Sequence, residues 1–405
     1  MSGFRPALIA LTASATATVL ALPTAAMASR PVEVPRPSPY VVVLRPAAAQ
    51  ALAPVLELAG RLGADVGHVY RHALTGFSAT LPAALVPVLR ANPAVAYLEP
   101  DRSVSLTRTQ GQATTGLDRI DQRRLPLDRT YTYDATGAGV SAYVIDTGIL
   151  LSHREFAGRA VTGFDAVTRS GTAVDCNGHG THVAGTIGGA TYGVAKAVRL
   201  VAVRVLDCEG SGATSGVIAG VDWVTANHRP GQPAVANMSL GGGTSRALDD
   251  AVDRSVADGV TYVVAAGNGD QLGRPQDACG SSPGRLASVL TVAASDAGDR
   301  AATFSNYGTC VDLYAPGVAI TSAWSTSPTA VNTIDGTSMA SPHVAGVAAT
   351  VLQRSPRSTP QQVHDRIRAG ATPDAVAGTR TSGGLLGLGG SSGPLENNRL
   401  LFSRL

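Results

Sequence analysis

Three short motifs in this sequence set a carboxylate, an imidazole and a hydroxyl among glycines. Tyr143-Val144-Ile145-Asp146-Thr147-Gly148 is an apolar strand that ends in an acid. Asn177-Gly178-His179-Gly180-Thr181-His182-Val183-Ala184-Gly185 is a glycine-rich entry to a helix. Gly336-Thr337-Ser338-Met339-Ala340-Ser341-Pro342-His343-Val344-Ala345-Gly346 is another helix entry, with a serine in its first turn. Taken singly, each has a plainer use: an acid at a strand end makes a turn or cap, and a serine before a helix is an N-cap. Together they are a chemical set. A serine hydroxyl is a weak nucleophile near neutral pH and needs an imidazole to take its proton. The imidazole in turn needs a carboxylate to fix its tautomer and to stabilise the imidazolium that forms. An Asp, a His and a Ser on three elements of one sheet face supply that set, and its chemistry is acyl transfer.

The elements that must hold these residues can be read from the apolar pattern. Strands at 140–146, 199–206, 234–240, 261–267 and 288–295 are short, near-continuous and rich in Val and Ala. Helical stretches at 179–189, 213–228, 245–258 and 336–353 lie between or after them. That alternation predicts an α/β domain, a doubly wound and mostly parallel sheet covered by helices on both faces. Such sheets place their sites at the carboxyl ends of strands and the amino ends of helices, where all three motifs fall. Ahead of this lies a different rhythm. After a Pro-rich linker at 29–39, a strand at 40–44, a helix at 47–62, two strands within 66–81 turning at Thr75-Gly76, a helix at 82–91 and a strand at 94–98 make β-α-β-β-α-β. That is a small ferredoxin-like α+β module, about 40–106. A polar stretch without apolar periodicity follows, from Ser103 to Thr115.

The chain has 405 residues, 44% hydrophobic and 15% charged, which predicts a packed core rather than disorder. Lys+Arg 32 against Asp+Glu 29 leaves +3 with no long basic block, which argues against nucleic acid or a membrane surface as partner. The N-terminus carries one arginine, Arg5, then an apolar run that closes on Ala26-Met27-Ala28. This is the pattern of a cleaved signal peptide over 1–28, and it predicts a secreted, extracellular and soluble mature product. Export would put Cys176, Cys208, Cys279 and Cys310 in a disulfide-permissive compartment; four cysteines allow three pairings, and spacing alone does not choose. There is no HExxH and no CxxC, so no catalytic metal is expected.

On the three motifs, in the chain order Asp, His, Ser, the sequence resembles the subtilisin family of serine proteases, and within it the proteinase K and aqualysin branch. The resemblance runs from about Leu117 to Val351 and resumes at Asn398 to Phe402. It implies that Asp146 is the acid, His179 the general base and Ser338 the nucleophile, while His182 and His343 are packing or hydrogen-bonding histidines. It further implies that Asn268, in the turn after Val263-Val264-Ala265-Ala266-Gly267, donates to the oxyanion. Gly210-Ser211-Gly212 and Ser239-Leu240-Gly241 match the strands between which the family lays an extended peptide. The primary pocket would be walled by Ser239 to Gly241 and by Ala265, Ala266 and Gly267. All are small and uncharged, so an apolar or aromatic residue is expected before the scissile bond.

The same resemblance implies structural calcium at Asp118, Asp121, Gln122 and Asp128, and again at Asp312 with backbone carbonyls of Ala287 and Val289. It pairs Cys176 with Cys208 and Cys279 with Cys310. It makes 29–107 an inhibitory propeptide that the 108–405 peptidase domain removes from itself near Thr107-Arg108, and the enzyme a monomer whose partners are peptide substrates and that propeptide. Two departures stand out: Thr115 replaces a family tryptophan, and the low-complexity segment 382–393 has no assigned role. Two other functions fit a subset of the features, an inactive binding protein on this fold and a secreted esterase. All four reacting residues are present, and the G-x-S-x-G elbow of esterases is not.

Overall fold

The computed structural model describes residues 37–101, 108–168, 171–378 and 397–405. The chain divides into two compact units, Met1–Val104 and Ser105–Leu405. The expected signal peptide, the region around Thr107 and the low-complexity segment 382–393 lie outside the described residues.

The first unit is a four-stranded antiparallel sheet in the order Asp65–Tyr70, Gly76–Leu81, Ser38–Leu44, Val95–Pro100, with helices Leu52–Arg61 and Leu85–Ala91. That order is the ferredoxin-like one. Its core is formed by Val42, Leu44, Val55, Phe77, Leu81 and Leu89. Both helices start later than the apolar pattern predicts, and prolines give the reason. Pro54 and Pro87 each fall in the first helical turn, where a missing N–H and a fixed φ are tolerated. A helix running from 47 would put Pro54 in its interior, so Pro46–Ala51 forms a 3₁₀ segment instead.

The second unit is built on a nine-stranded sheet. Eight parallel strands run, in order across it, Ala160–Asp165, Arg199–Arg204, Ser141–Asp146, Ala234–Met238, Thr261–Ala265, Leu290–Ser295, Leu313–Pro316 and Arg399–Leu400; antiparallel Thr372–Pro373 finishes the edge. Alternate residues face opposite sides. Ala142, Val144, Leu200 and Val235 pack under helices His179–Gly188 and Thr337–Arg354. Tyr143, Ile145, Val201 and Val203 pack under Thr214–Asn227 and Arg246–Ala257. Burial on both faces explains why the strands read as unbroken apolar runs. The expected strands at 199–206, 234–240 and 261–267 all end early, at Arg204, Met238 and Ala265. The residues that leave the ladder there include several that the resemblance places at the site.

Candidate active site

Asp146 is the last residue of its strand and is fully buried. His179 opens helix His179–Gly188, and its Nδ1 lies 2.7 Å from Asp146 Oδ1. A carboxylate only accepts, so Nδ1 carries the hydrogen and Nε2 is left as the basic nitrogen. Burial pulls the His179 pKa down, but the charge and hydrogen bond of Asp146, with a further contribution from Asp175, outweigh it and raise it above 6.5. The turn before this helix is held by backbone geometry. Gly178 sits at φ 115°, and a Cβ there would lie 2.3 Å from the Trp324 ring. Only glycine fits.

Ser338 occupies the second position of helix Thr337–Arg354, where its backbone N–H has no intrahelical acceptor. Its Oγ donates to the Ser239 carbonyl at 3.1 Å. Ser239 is pinned in return: its hydroxyl donates to the Ser338 carbonyl at 2.8 Å and accepts from Asn237 Nδ2 at 2.8 Å. Asn268 Oδ1 accepts from Thr337 N at 2.9 Å and from Thr337 Oγ1 at 2.8 Å. A backbone N–H can meet only an oxygen, so these contacts settle which way the amide points and leave Nδ2 as a donor on an exposed side chain. A cleft of about 550 Å³ is lined by His179, Gly210, Ser211, Gly212, Ser239, Leu240 and Gly241, with Thr147 and Asn177 beside them. The two expected substrate segments and the histidine therefore share one groove. Ala265, Ala266 and Gly267 do not line it; Ala265 and Ala266 are buried, and Gly267 N donates to Thr337 Oγ1 at 3.1 Å.

The other expected residues do not line this groove. Cys176–Cys208 and Cys279–Cys310 are bridged, with Cα separations of 5.0 and 5.3 Å. His182 Nε2 meets the Ile320 carbonyl at 3.0 Å and His343 Nδ1 the Met339 carbonyl at 2.8 Å; burial pushes both pKa values down to about 4. Asp118 accepts from the backbone N–H groups of Asp128 and Arg129, and Asp121 from that of Thr132. Neither acid forms an ion pair among the described residues, and burial raises both pKa values, that of Asp121 to about 6. Asp128 accepts from Thr130 N and Oγ1, and Gln122 spends its amide N–H on the carbonyls of Arg124 and Pro126, leaving its oxygen. Asp312 differs, because Arg368 stands 3.4 Å from it and Thr291 N donates to it. Among the described residues, no three His, Cys, Asp or Glu side chains are grouped to hold one metal ion.

Residues 137–389 match the model of the subtilase family, and residues 39–107 match that of the peptidase inhibitor I9 family. The chain belongs to the subtilase family. It is 58% identical to an extracellular serine proteinase of Thermus sp. (strain Rt41A), over 82% of this chain and 79% of that protein. It is 51% identical to alkaline serine exoprotease A of Vibrio alginolyticus, over 80% of this chain and 60% of that longer protein. The crystal structure of a cold adapted subtilisin-like serine proteinase superposes with a TM-score of 0.66 at 51% identity, covering 73% of this chain and all of that one. This subtilase is thus a serine proteinase with an I9 inhibitor segment, and neither an esterase nor a non-enzymatic binding role is supported.

Sequence reading alone misses one part of this subtilase's site. Asp175, 5% exposed, accepts from Thr147 Oγ1, Asn177 N and Gly178 N through Oδ1, and from Thr181 N and Oγ1 through Oδ2. Thr147 Oγ1 then accepts from Gly180 N at 2.9 Å. One carboxylate therefore ties the strand end after Asp146 to the helix start at His179. An acid two residues before Asn177-Gly178 is the only signal in the sequence, and it reads as an ordinary turn residue.

Proposed function

We propose that this chain is a secreted endopeptidase in which Ser338 attacks the peptide carbonyl and forms an acyl-enzyme. His179 Nε2 takes the Ser338 proton and later gives it to the leaving amine, while Asp146 holds Nδ1–H and stabilises the imidazolium. Asn268 Nδ2 and the Ser338 backbone N–H receive the oxyanion. An extended peptide pairs with Gly210–Gly212 and Ser239–Gly241, and the small, uncharged residues of those segments favour an apolar or aromatic residue before the scissile bond. The observation that carries this reading is the 2.7 Å contact from His179 to buried Asp146, on the cleft edge that also bears Ser239, to whose carbonyl Ser338 Oγ bonds. Replacing Ser338 with Ala should abolish casein hydrolysis with the fold retained, since Ala suits a helix's first turn. Casein cleavage at a comparable rate by that variant would end the assignment.

Around this core the proposal adds a signal peptide over 1–28, a propeptide over 29–107 and a monomeric peptidase over 108–405. The extracellular proteinase named among the relatives supports export, and no helix among the described residues is long and apolar enough to cross a membrane. Structural calcium is assigned to Asp118, Asp121, Gln122 and Asp128: Asp118 and Asp121 are buried with no ion pair among the described residues, and Asp128 and the Gln122 amide oxygen add hard donors; backbone oxygens and water would complete the shell. At Asp312, with Ala287 and Val289, Arg368 already supplies positive charge, so calcium there is the weaker assignment. Calcium bound at either place would stabilise the fold.

A further inference from the structure

The two disulfides sit in different surroundings. Arg204 Nη2 lies 3.1 Å from Cys176 Sγ and 3.7 Å from Cys208 Sγ, while Arg204 Nη1 faces Asp165 at 3.8 Å. Arg204 is itself 7% exposed, on the strand paired with the one that ends at Asp146. Cys176 and Cys208 are both exposed. Cys279 and Cys310 are half-buried, and their sulfurs meet only Thr309 Oγ1 and the Arg285 carbonyl. One bridge therefore joins exposed cysteines and is backed by a guanidinium, whereas the other joins half-buried ones and, among the described residues, has no guanidinium contact at its sulfurs.

That difference matters for thiol–disulfide exchange. Exchange is faster when the departing sulfur is stabilised as a thiolate, and a nearby arginine does this. We propose that the Cys176–Cys208 bridge is a modification site for small thiols, with Cys208 taking the thiol and Cys176 departing beside Arg204. In this step the incoming thiolate forms a bond to Cys208 Sγ as the Cys208–Cys176 bond breaks. The electron pair leaves on Cys176 Sγ, so one thiolate enters and one departs. The direction follows from the distances, because Arg204 is closer to Cys176. The class of thiol follows from local charge. Asp175 adjoins Cys176, and Asp207 and Glu209 flank Cys208, so small cationic or neutral thiols are favoured over anionic ones.

The site borders the working groove. Cys176 lies three residues before His179, and Asn177 Nδ2 donates to the Cys208 carbonyl at 2.8 Å. Asn177, Glu209 and Gly210 all line the cleft. A thiol carried on Cys208 stands at the start of the segment on which substrate is expected to pair, so modification should raise KM for peptides more than it lowers kcat.

The test exposes the purified enzyme to cysteamine for graded times, traps free thiols with iodoacetamide and maps peptides by mass spectrometry. Expected are a cysteamine adduct on Cys208 and a carbamidomethyl on Cys176, formed at least about tenfold faster than any change at Cys279 or Cys310. Glutathione, being anionic, should react more slowly than cysteamine at the same thiolate concentration. An Arg204→Gln variant should open this bridge about tenfold more slowly and leave the other unchanged; the comparison of the two bridges in the unmodified sequence stands even where that variant does not fold. Equal opening of both bridges, an adduct chiefly on Cys176, or an unaltered rate in a folded Arg204→Gln enzyme would overturn the proposal. So would an unchanged KM at full occupancy of Cys208, for the link to the groove.

Discussion

Whether His179 can work as a base depends on the charges that face it. Asp146 approaches from the strand, Asp175 from the preceding turn, and His182 from one turn along the same helix. The two acids win over burial, and the net shift is upward from 6.5. The sign for catalysis follows. A base must be neutral, so activity is present above the His179 pKa and is lost as pH falls through it. The acid limb of kcat/KM should accordingly have its midpoint above the ordinary histidine value. Asp175→Asn keeps the shape but deletes one of the charges, so that midpoint should move to lower pH, with kcat reduced as the Thr147–Gly180 tie loosens. A variant that merely lowered activity, with an unshifted acid limb, would reduce Asp175 to a structural part. These roles differ in how far the sequence gives them away. Asp146, His179 and Ser338 are legible because three residue types needed by one reaction recur at three element ends. Asp175 is not, because its partners are backbone N–H groups and two threonine hydroxyls, one of them, on Thr147, far off in sequence.

Helix entries do the positioning, and each depends on a backbone that side chains would spoil. At Gly178 the φ of 115° and the Trp324 ring both exclude a Cβ. Gly178→Ala should therefore displace the first turn bearing His179, with kcat falling at least about tenfold and stability by roughly 1–3 kcal/mol. Full activity with an unchanged melting temperature would show that the turn absorbs the methyl group. The parallel strands were readable from their Val and Ala runs because both faces are buried, as with Val144 on one side and Ile145 on the other. The edge strand Ala160–Asp165 does not show this pattern. Its neighbour lies on one side only, and Gly163 breaks the run where a Cβ would strike Trp223 and the Ala202 carbonyl. Strand ends were overestimated for a related reason. Val205, Leu240 and Ala266 continue the apolar run, but the ladder ends before each of them.

At the scale of the whole chain, the proposed calcium site and the I9 segment bear on stability and control, and each has its own measurement. The acids at Asp118 and Asp121 are buried with no ion pair among the described residues, so a bound cation would stabilise the folded state by mass action. EDTA should lower the melting temperature more than it lowers initial activity, and a melting temperature indifferent to EDTA would remove the calcium assignment. The second device is the I9 segment matched at residues 39–107. It forms a compact unit with its own apolar core, and Asp146, His179, Ser338 and Asn268 all lie outside it. Two fates are open to such a unit: an accessory domain would stay attached, whereas an intramolecular inhibitor must be cut away by the enzyme it restrains. The proposed substrate preference argues for the second. Val104-Ser105-Leu106-Thr107 is a run of small and apolar side chains, the kind the proposed substrate segments should accept, and it leads to the expected cut near Arg108. From Arg108 the chain enters the strand Arg108–Gly111, paired with Thr130–Tyr133 inside the second unit, so a cut just ahead of it would leave that ladder whole. Wild type and Ser338→Ala, expressed side by side and sequenced from the N-terminus, should differ in one respect. The wild type should begin near Arg108, within a few residues, and the variant should retain the segment. A variant processed at the same place with no added protease would mean that another enzyme makes the cut.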